Sequence, residues 1–152
     1  MKILLLGGSG RLGQEIQKYI KCDAPSHKEI DIEDKYDLLL LGNYGLIIHS
    51  AAFTNVVKAE NEKFDCYQTN VDGTINLANR FFNIPFVYIS SEYAHNPQNY
   101  YSETKLAAEV AVKALSERYL IIRTSFNVRP WPHKNAFIDS WTQGDYVDII
   151  AP

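Results

Sequence analysis

Ser91, Tyr101 and Lys105 fall within the stretch SSEYAHNPQNYYSETK, residues 90–105. A phenol titrates near pH 10 and is a poor proton donor or acceptor at neutrality unless something stabilises its anion. A lysine four positions further along a helix projects from the same face, and a positive charge within about 4–6 Å favours the phenolate. Tyr101 and Lys105 have that spacing, whereas the neighbouring register, Tyr100 with Thr104, offers no charge. Ser91 closes an apolar run, where its hydroxyl can hydrogen-bond a substrate carbonyl. The three groups then converge on one oxygen and would do proton-transfer chemistry there. A YxxxK spacing also arises by accident, as a packed tyrosine beside a solvated lysine. The surrounding elements therefore carry the decision.

A second set of residues stands at the N-terminus, where Gly7, Gly10 and Gly13 follow the apolar run ILLL in the stretch ILLLGGSGRLGQEI. Glycines permit a sharp turn and a close approach of pyrophosphate, and the start of the next helix presents free N–H groups and a positive dipole. Strand, glycine turn and helix is the context in which such a motif binds a dinucleotide. Arg11 can add charge at the phosphates, or simply meet water. About 20 positions further on, an acidic residue holds the ribose 2′-hydroxyl of NAD. That region reads DAPSHKEIDIED: Asp23 can serve in this way, while Ser26, His27 and Lys28 equally suit a 2′-phosphate, so NADP is favoured over NAD. Asp31 is placed to contact adenine; a helix N-cap role for Asp31 or Glu33 stands beside that reading.

The elements that must position these groups alternate along the chain. MKILLL reads as a strand, and Leu12, Ile16 and Ile20 mark a helix. KCDAP and EIDI, residues 29–32, are expected as brief second and third strands. EDKYDLLLLGN is a short helix, GLIIHSAAF a buried strand, and Val71, Ile75, Ala78 and Phe82 mark one apolar helix face. PFVYISS is another strand. Over Tyr101 to Glu117 the spacing predicts an amphipathic helix with Leu106, Val110, Ala111 and Ala114 on its apolar stripe. YLIIRTSF is the last strong strand, VRPWPHKN a loop, and the tail AFIDSWTQGDYVDIIAP a short helix and a short strand. This alternation implies an α/β fold, a three-layer, Rossmann-like, doubly wound parallel sheet covered on both faces. In such sheets ligands bind beyond the carboxyl ends of the strands, where the strand order reverses.

Composition narrows the function classes. A chain of 152 residues fits a single domain, residues 1–152, with 46% apolar and 22% charged side chains, as in ordinary globular proteins. Fifteen basic against eighteen acidic side chains, with no basic run, exclude nucleic acid as the expected partner. The ILLL run is too short for a signal-peptide core or a membrane span. Cys22 and Cys66 make neither a CxxC pair nor a disulfide framework, so the expected setting is the cytoplasm. His27, His49, His95 and His133 lack metal-ligand spacing, and no metal is expected.

Taken together, ILLLGGSGRLGQEI, DIED, IIHSAAFTNVVKAE, NVDGTINLA, FVYISSEY, YYSETKLAAE and IIRTSF resemble, in family order, the extended short-chain dehydrogenase/reductase family, and most closely its dTDP-4-dehydrorhamnose reductase-like branch. The resemblance implies NADP or NAD as cofactor and a nucleotide-linked keto-sugar as substrate. It implies Tyr101 as general acid/base, Lys105 as its partner that also holds the nicotinamide ribose, Ser91 as the carbonyl-polarising hydroxyl, and Asn70 near the active site. It further places Gly7, Gly10, Arg11, Leu12, Gly13, Asp31, Ile32, Ala51 and Ala52 along the cofactor. Asn70 can also simply bend or cap its helix, and the alanines can simply pack. Only nine residues separate Ser91 from Tyr101, fewer than in the family, and Val57 stands where relatives often carry aspartate. Most of the family's C-terminal substrate lobe is expected to be missing, with a homodimer or a larger partner subunit supplying contacts. A dinucleotide-binding regulatory subunit and a nucleotide-sugar epimerase or dehydratase are the alternative readings.

Overall fold

The computed structural model describes residues 1–127 and 145–152. The chain opens with β1 (Ile3–Leu6), a glycine turn and α1 (Arg11–Ile16), followed by α2 (Lys35–Leu40) and β2 (Leu46–His49). Two short helices, α3 (Val56–Ala59) and α4 (Lys63–Tyr67), lead through one π-helical turn, Gln68–Asp72, into α5 (Gly73–Arg80). Then come β3 (Phe86–Ser91), a 3₁₀ turn at Glu92–His95, α6 (Tyr100–Leu115) and β4 (Tyr119–Thr124). Two short parallel strands, β5 (Phe126–Asn127) and β6 (Asp145–Tyr146), and the helix α7 (Val147–Ile150) complete the described elements.

All four main strands are parallel, in the order β1-β2-β3-β4. Asp23 adds a single parallel bridge to Leu4 on the far edge of β1, donating to Ile3 O and accepting from Leu5 N. The chain therefore leaves β1 toward one side and returns to β2 on the other. That reversal puts the switch point of the sheet at the carboxyl end of β1, where the glycine turn lies. The α/β, Rossmann-like parallel sheet expected from the sequence is what the chain forms. Two of its expected strands shrink: KCDAP contributes only the Asp23 bridge, and EIDI forms turns. Asp31 and Glu33 are replaced as helix cap by Asp34, whose side chain accepts from Tyr36 N at 2.8 Å. Asp31 instead closes the preceding turn by accepting from Glu33 N.

One face of the sheet buries Leu4, Leu6, Ile47, Phe86 and Tyr88 against Leu38, Leu77, Phe81, Ala108 and Val112 from α2, α5, the residue after α5, and α6. The opposite face is sealed over Leu5 and Ile48, but Leu120 and Ile122 of β4 are exposed among the described residues. The expected stripe before Pro85 holds at the buried Val71 and Ala78 and fails at Phe82, while the stripe of α6 turns. In α5 the core takes Leu77, Ala78 and Phe81, and Phe82 is 51% exposed. In α6 the expected apolar stripe lies at the surface, with Val110 at 59% exposure, and the buried face is Ser102, Thr104, Lys105, Ala108, Glu109 and Val112. Burial here follows hydrogen-bonding partners on β3 and β4, which periodicity of apolar residues does not register. The loop expected at residues 128–135 and the first part of the tail lie outside the described residues; the remainder forms β6 and then α7.

Leu77 has no exposed surface and sits at the centre of this core. Leu77→Ala is expected to lower unfolding free energy by about 2–5 kcal/mol, the range for a buried leucine leaving a cavity. Chemical denaturation with an unchanged m-value checks it.

Candidate functional site

The glycine turn is shaped by contacts that exclude side chains. Gly7 has φ +86°, and a Cβ there would come within 2.4 Å of Ala51 N, so the turn lies directly on the backbone that follows β2. A Cβ on Gly13 would stand 2.2 Å from Gly7 O and 2.7 Å from Gly8 Cα, so α1 packs on the turn with no room for any other residue. Gly10 N–H donates to Gly7 O at 3.0 Å, and Gly10 is an N-cap without a side-chain hydrogen bond. The start of α1 is thus served by no side chain of its own, as an approaching phosphate requires. Arg11 is exposed beside it; Leu12 is 6% exposed and packs inward, leaving only its backbone to face a ligand. Ala51 and Ala52 are half-buried just beyond β2, and Ser50 ties that segment to β1 through Oγ and N, both donating to Leu6 O.

Of the residues expected to meet a ribose, Asp23 is committed elsewhere. Its carboxylate pairs with Lys2 at 2.9 Å and accepts from the Tyr44 hydroxyl, near the amino end of β1 and away from the glycine turn. The Lys2 ammonium holds that carboxyl below its ordinary range. Beyond it the chain passes Gly8, where a Cβ would meet Ala24 Cβ at 2.7 Å. Ser26, His27 and Lys28 follow, with Ser26 accepted by Glu29 through both N and Oγ. Asp31 is half-buried, and the Ile32 side chain enters the core against Gly73.

The second group of residues gathers at the carboxyl end of β3. Asn99 caps α6 by accepting from Ser102 N, and the Ser102 hydroxyl reaches back to the Asn99 N–H, a reciprocal cap that fixes where Tyr101 emerges. Ser91, 5% exposed, stands beside the Tyr101 phenol, and its Oγ accepts from Tyr93 N at 3.2 Å. Burial raises the Tyr101 titration above that of a free phenol, and the Ser91 hydroxyl partly offsets it. Lys105 is 2% exposed, donates to Ile89 O at 2.9 Å and lies 4.3 Å from the Tyr88 ring centroid. Burial lowers its titration to about 7, with Glu109 and Cys66 acting in the opposite sense. Tyr100 turns away: its N–H donates to Glu60, and its ring lies 5.1 Å from Lys63 Nζ.

Asn70 sits within the π-helical turn and is 1% exposed. Its carboxamide accepts from Phe53 N at 2.8 Å and donates to the Thr104 hydroxyl at 2.9 Å, and Thr104 in turn donates to Tyr101 O. Asn70 therefore joins the segment after Ala52 to the helix bearing Tyr101. A π turn widens the helix locally, which is how such a side chain reaches two elements.

Two further groups had no expected role. The Glu109 carboxylate, 1% exposed, accepts from Ser90 Oγ at 2.6 Å and from Arg123 Nε and Nη2 at 2.8 and 2.7 Å. Its position four residues beyond Lys105 was a legible signal; the distant Arg123 was not. His49 is fully buried beside Tyr88. Because the Thr74 hydroxyl donates to Asn70 O at 2.7 Å, it accepts from His49 at 3.0 Å, so the proton is on Nε2, and Nδ1 has no partner among the described residues. Burial pushes the imidazole down to about 3. A shallow depression of about 250 Å³ lies beside the Phe53 segment, lined by Thr54, Asn55, Lys58 and Glu62.

Residues 1–137 match the family described as RmlD substrate binding domain. The chain is 25% identical to the dTDP-4-dehydrorhamnose reductase of Aggregatibacter actinomycetemcomitans, over 95% of this chain and 53% of that protein. Among solved structures it is similar to the dTDP-4-dehydrorhamnose reductase of Bacillus anthracis in complex with NADP: TM-score 0.77, 28% identity, 84% of this chain and 54% of that one. A second, from Clostridium acetobutylicum, gives TM-score 0.78 and 30% identity over 89% of this chain and 56% of that one. The chain thus spans about half the length of the relatives it matches.

The buried neutral His49 has a thermodynamic consequence. Its folded titration, about 3, lies below the ordinary 6.5, so below pH 6.5 the unfolded chain binds the proton first. Stability is full above pH 6.5 and falls as pH drops toward 3, with a slope of up to about 1.4 kcal/mol per pH unit. Urea midpoints measured across this window should fall less steeply in His49→Gln, which removes the titration.

Proposed function

Because the chain belongs to the RmlD substrate binding domain family, we propose that it binds a nicotinamide dinucleotide across the Gly7–Gly13 turn and reduces the keto group of a nucleotide-linked sugar. The observation that carries this reading is the meeting of Ser91, Tyr101 and Lys105 at the carboxyl end of β3, on the edge of the sheet that holds the glycine turn. The glycine cradle and the uncapped start of α1 fit the pyrophosphate, with Arg11 as a further donor, and the backbone of Leu12 and Gly13 at its side. Ala51 and Ala52 would flank the cofactor, and Asp31 and the Ile32 backbone its adenine end. Asp23 is engaged by Lys2 and Tyr44, while Ser26, His27 and Lys28 follow the turn; this supports NADP(H) over NAD(H).

Bound reduced nicotinamide supplies the hydride. The chain's own residues handle the proton. Ser91 orients the sugar carbonyl through its hydroxyl. Tyr101, kept protonated by burial, releases its phenolic proton to the carbonyl oxygen as that oxygen gains the electron pair of the C=O bond. Lys105, fixed on Ile89 O, presents its remaining N–H bonds toward the ribose and favours the phenolate left behind. Asn70 is assigned the support of this arrangement, through Thr104 and Phe53, and touches no reacting atom. General acid help of this kind contributes about 10²–10⁴-fold.

The short link from Ser91 to Tyr101, one 3₁₀ turn and a cap, favours a second reading, a dinucleotide-binding subunit without turnover. Oxidation of NADPH with a panel of nucleotide-linked keto-sugars separates the two readings: consumption supports the reductase, and tight binding without consumption supports the subunit. Tyr101→Phe is expected to lower the rate about 10²-fold or more with NADPH affinity unchanged; a retained rate removes the proton role. Gly13→Ala, which forces α1 from the turn, is expected to abolish NADPH-dependent fluorescence changes.

A further inference from the structure

Three residues of α6 spaced by four, Tyr101, Lys105 and Glu109, lie against three consecutive residues of β3. Lys105 donates to Ile89 O, Glu109 accepts from Ser90 Oγ at 2.6 Å, and Tyr101 stands beside Ser91. Glu109 alone extends the grip to a third element. Arg123 of β4 donates to both of its oxygens, and Arg123 is the register partner of Ser90. The carboxylate is 1% exposed, and Lys113 approaches its open side at 4.0 Å. Arg123 also lies 3.3 Å from His95 Nδ1, in the 3₁₀ turn that leads toward Tyr101.

We propose that Glu109 is a positioning residue for Lys105: its carboxylate locks α6 onto β3 and β4 and supplies the negative charge that keeps the buried lysine an ammonium. The proposal deepens the reading of the site given above and rests on it for the role of Lys105, though not for the charge coupling itself. The groups facing Lys105 are Glu109 from α6, Cys66 from α4, His49 from β2 and Tyr88 from β3, with Tyr101 one turn earlier on α6. His49 is neutral, and the phenols and thiol carry no charge at pH 7. Glu109 is thus the anion among them. Desolvation opposes the ammonium and Glu109 restores it, in line with a Lys105 titration near 7. Arg123 acts with opposite sign, because it neutralises the charge that Lys105 feels. A solely structural clamp would lack this opposition: removing either partner would then loosen the same joint in the same way.

The experiment follows Lys105 in the free protein by carbon-13 NMR of labelled lysine Cε, with Lys105→Arg assigning the signal. Glu109→Gln keeps the shape and a hydrogen bond to Ser90, and is expected to lower the Lys105 midpoint by about one pH unit. Arg123→Gln is expected to raise it. Midpoints within 0.3 unit of the wild type, or shifts of the same sign, overturn the proposal. If Glu109→Gln fails to fold, the sign of the Arg123→Gln shift decides alone, since only a rise supports the coupling. NADPH titration of the unmodified protein runs beside this. Opposite shifts without NADPH binding reject the cofactor reading and sustain the coupling, whereas NADPH binding without shifts rejects the role of Glu109.

Discussion

The interlock of α6 with β3 is the constraint on which the rest of the site depends. A helix laid on a parallel sheet ordinarily buries an apolar stripe, and its exact rotation is then decided by shape alone. Here the buried stripe is Ser102, Thr104, Lys105 and Glu109, interrupted by Ala108 and Val112. Each polar member has a specified partner: Asn99 for Ser102, Asn70 and Tyr101 O for Thr104, Ile89 O for Lys105, and Ser90 with Arg123 for Glu109. Rotating α6 by even one residue would strand a buried lysine and a buried carboxylate, each of which costs several kcal/mol unpaired. Directional bonds thereby fix the rotation of the helix, and with it the aim of Tyr101.

The same logic explains the irregular helix beside it. Between Lys63 and Arg80 the helix is broken by one π turn, and Asn70 within it holds Phe53 N and Thr104 Oγ1 together. In doing so it couples the segment after β2, which also packs on Gly7, to the helix bearing Tyr101. His49 and Thr74 continue that polar seam beneath Lys105, with Thr74 bonded to Asn70 O. The glycine turn, the Ala51 segment and α6 are therefore one connected arrangement, in which backbone contact serves at one end and side-chain hydrogen bonds at the other.

What was legible in the sequence follows from this division. Local signals read well: the apolar runs of β1, β2 and β3, the glycines of a turn that admits no Cβ, and the helix that carries Tyr101 and Lys105 are short-range features. Signals that needed a distant partner did not. The stripe of α6 was misplaced because Lys105 and Glu109 are buried only through Ile89, Ser90 and Arg123, the last fourteen residues beyond Glu109. Asp23 looked available for a ribose because neither Lys2 nor Tyr44 announces itself as its partner. Asp34 displaced Asp31 as a cap through a choice among three neighbouring acids that spacing alone leaves open.

On the proposed reading, the distribution of burial also bears on where specificity for a sugar would come from. The residues proposed to handle the proton lie within α6, β3 and the π turn, and each is 5% exposed or less apart from the half-buried Tyr101. Groups that face outward near the site are of another kind: Thr54, Asn55, Lys58 and Glu62 line a shallow depression, and Val57 is 78% exposed. A shallow polar surface orients a ligand weakly, because few of its contacts are desolvated. The described residues thus bury the proposed proton-handling groups and leave the depression by the Phe53 segment open. On that reading, discrimination among sugars would rest on whatever covers that surface, while the β3–α6 joint fixes the aim of Tyr101.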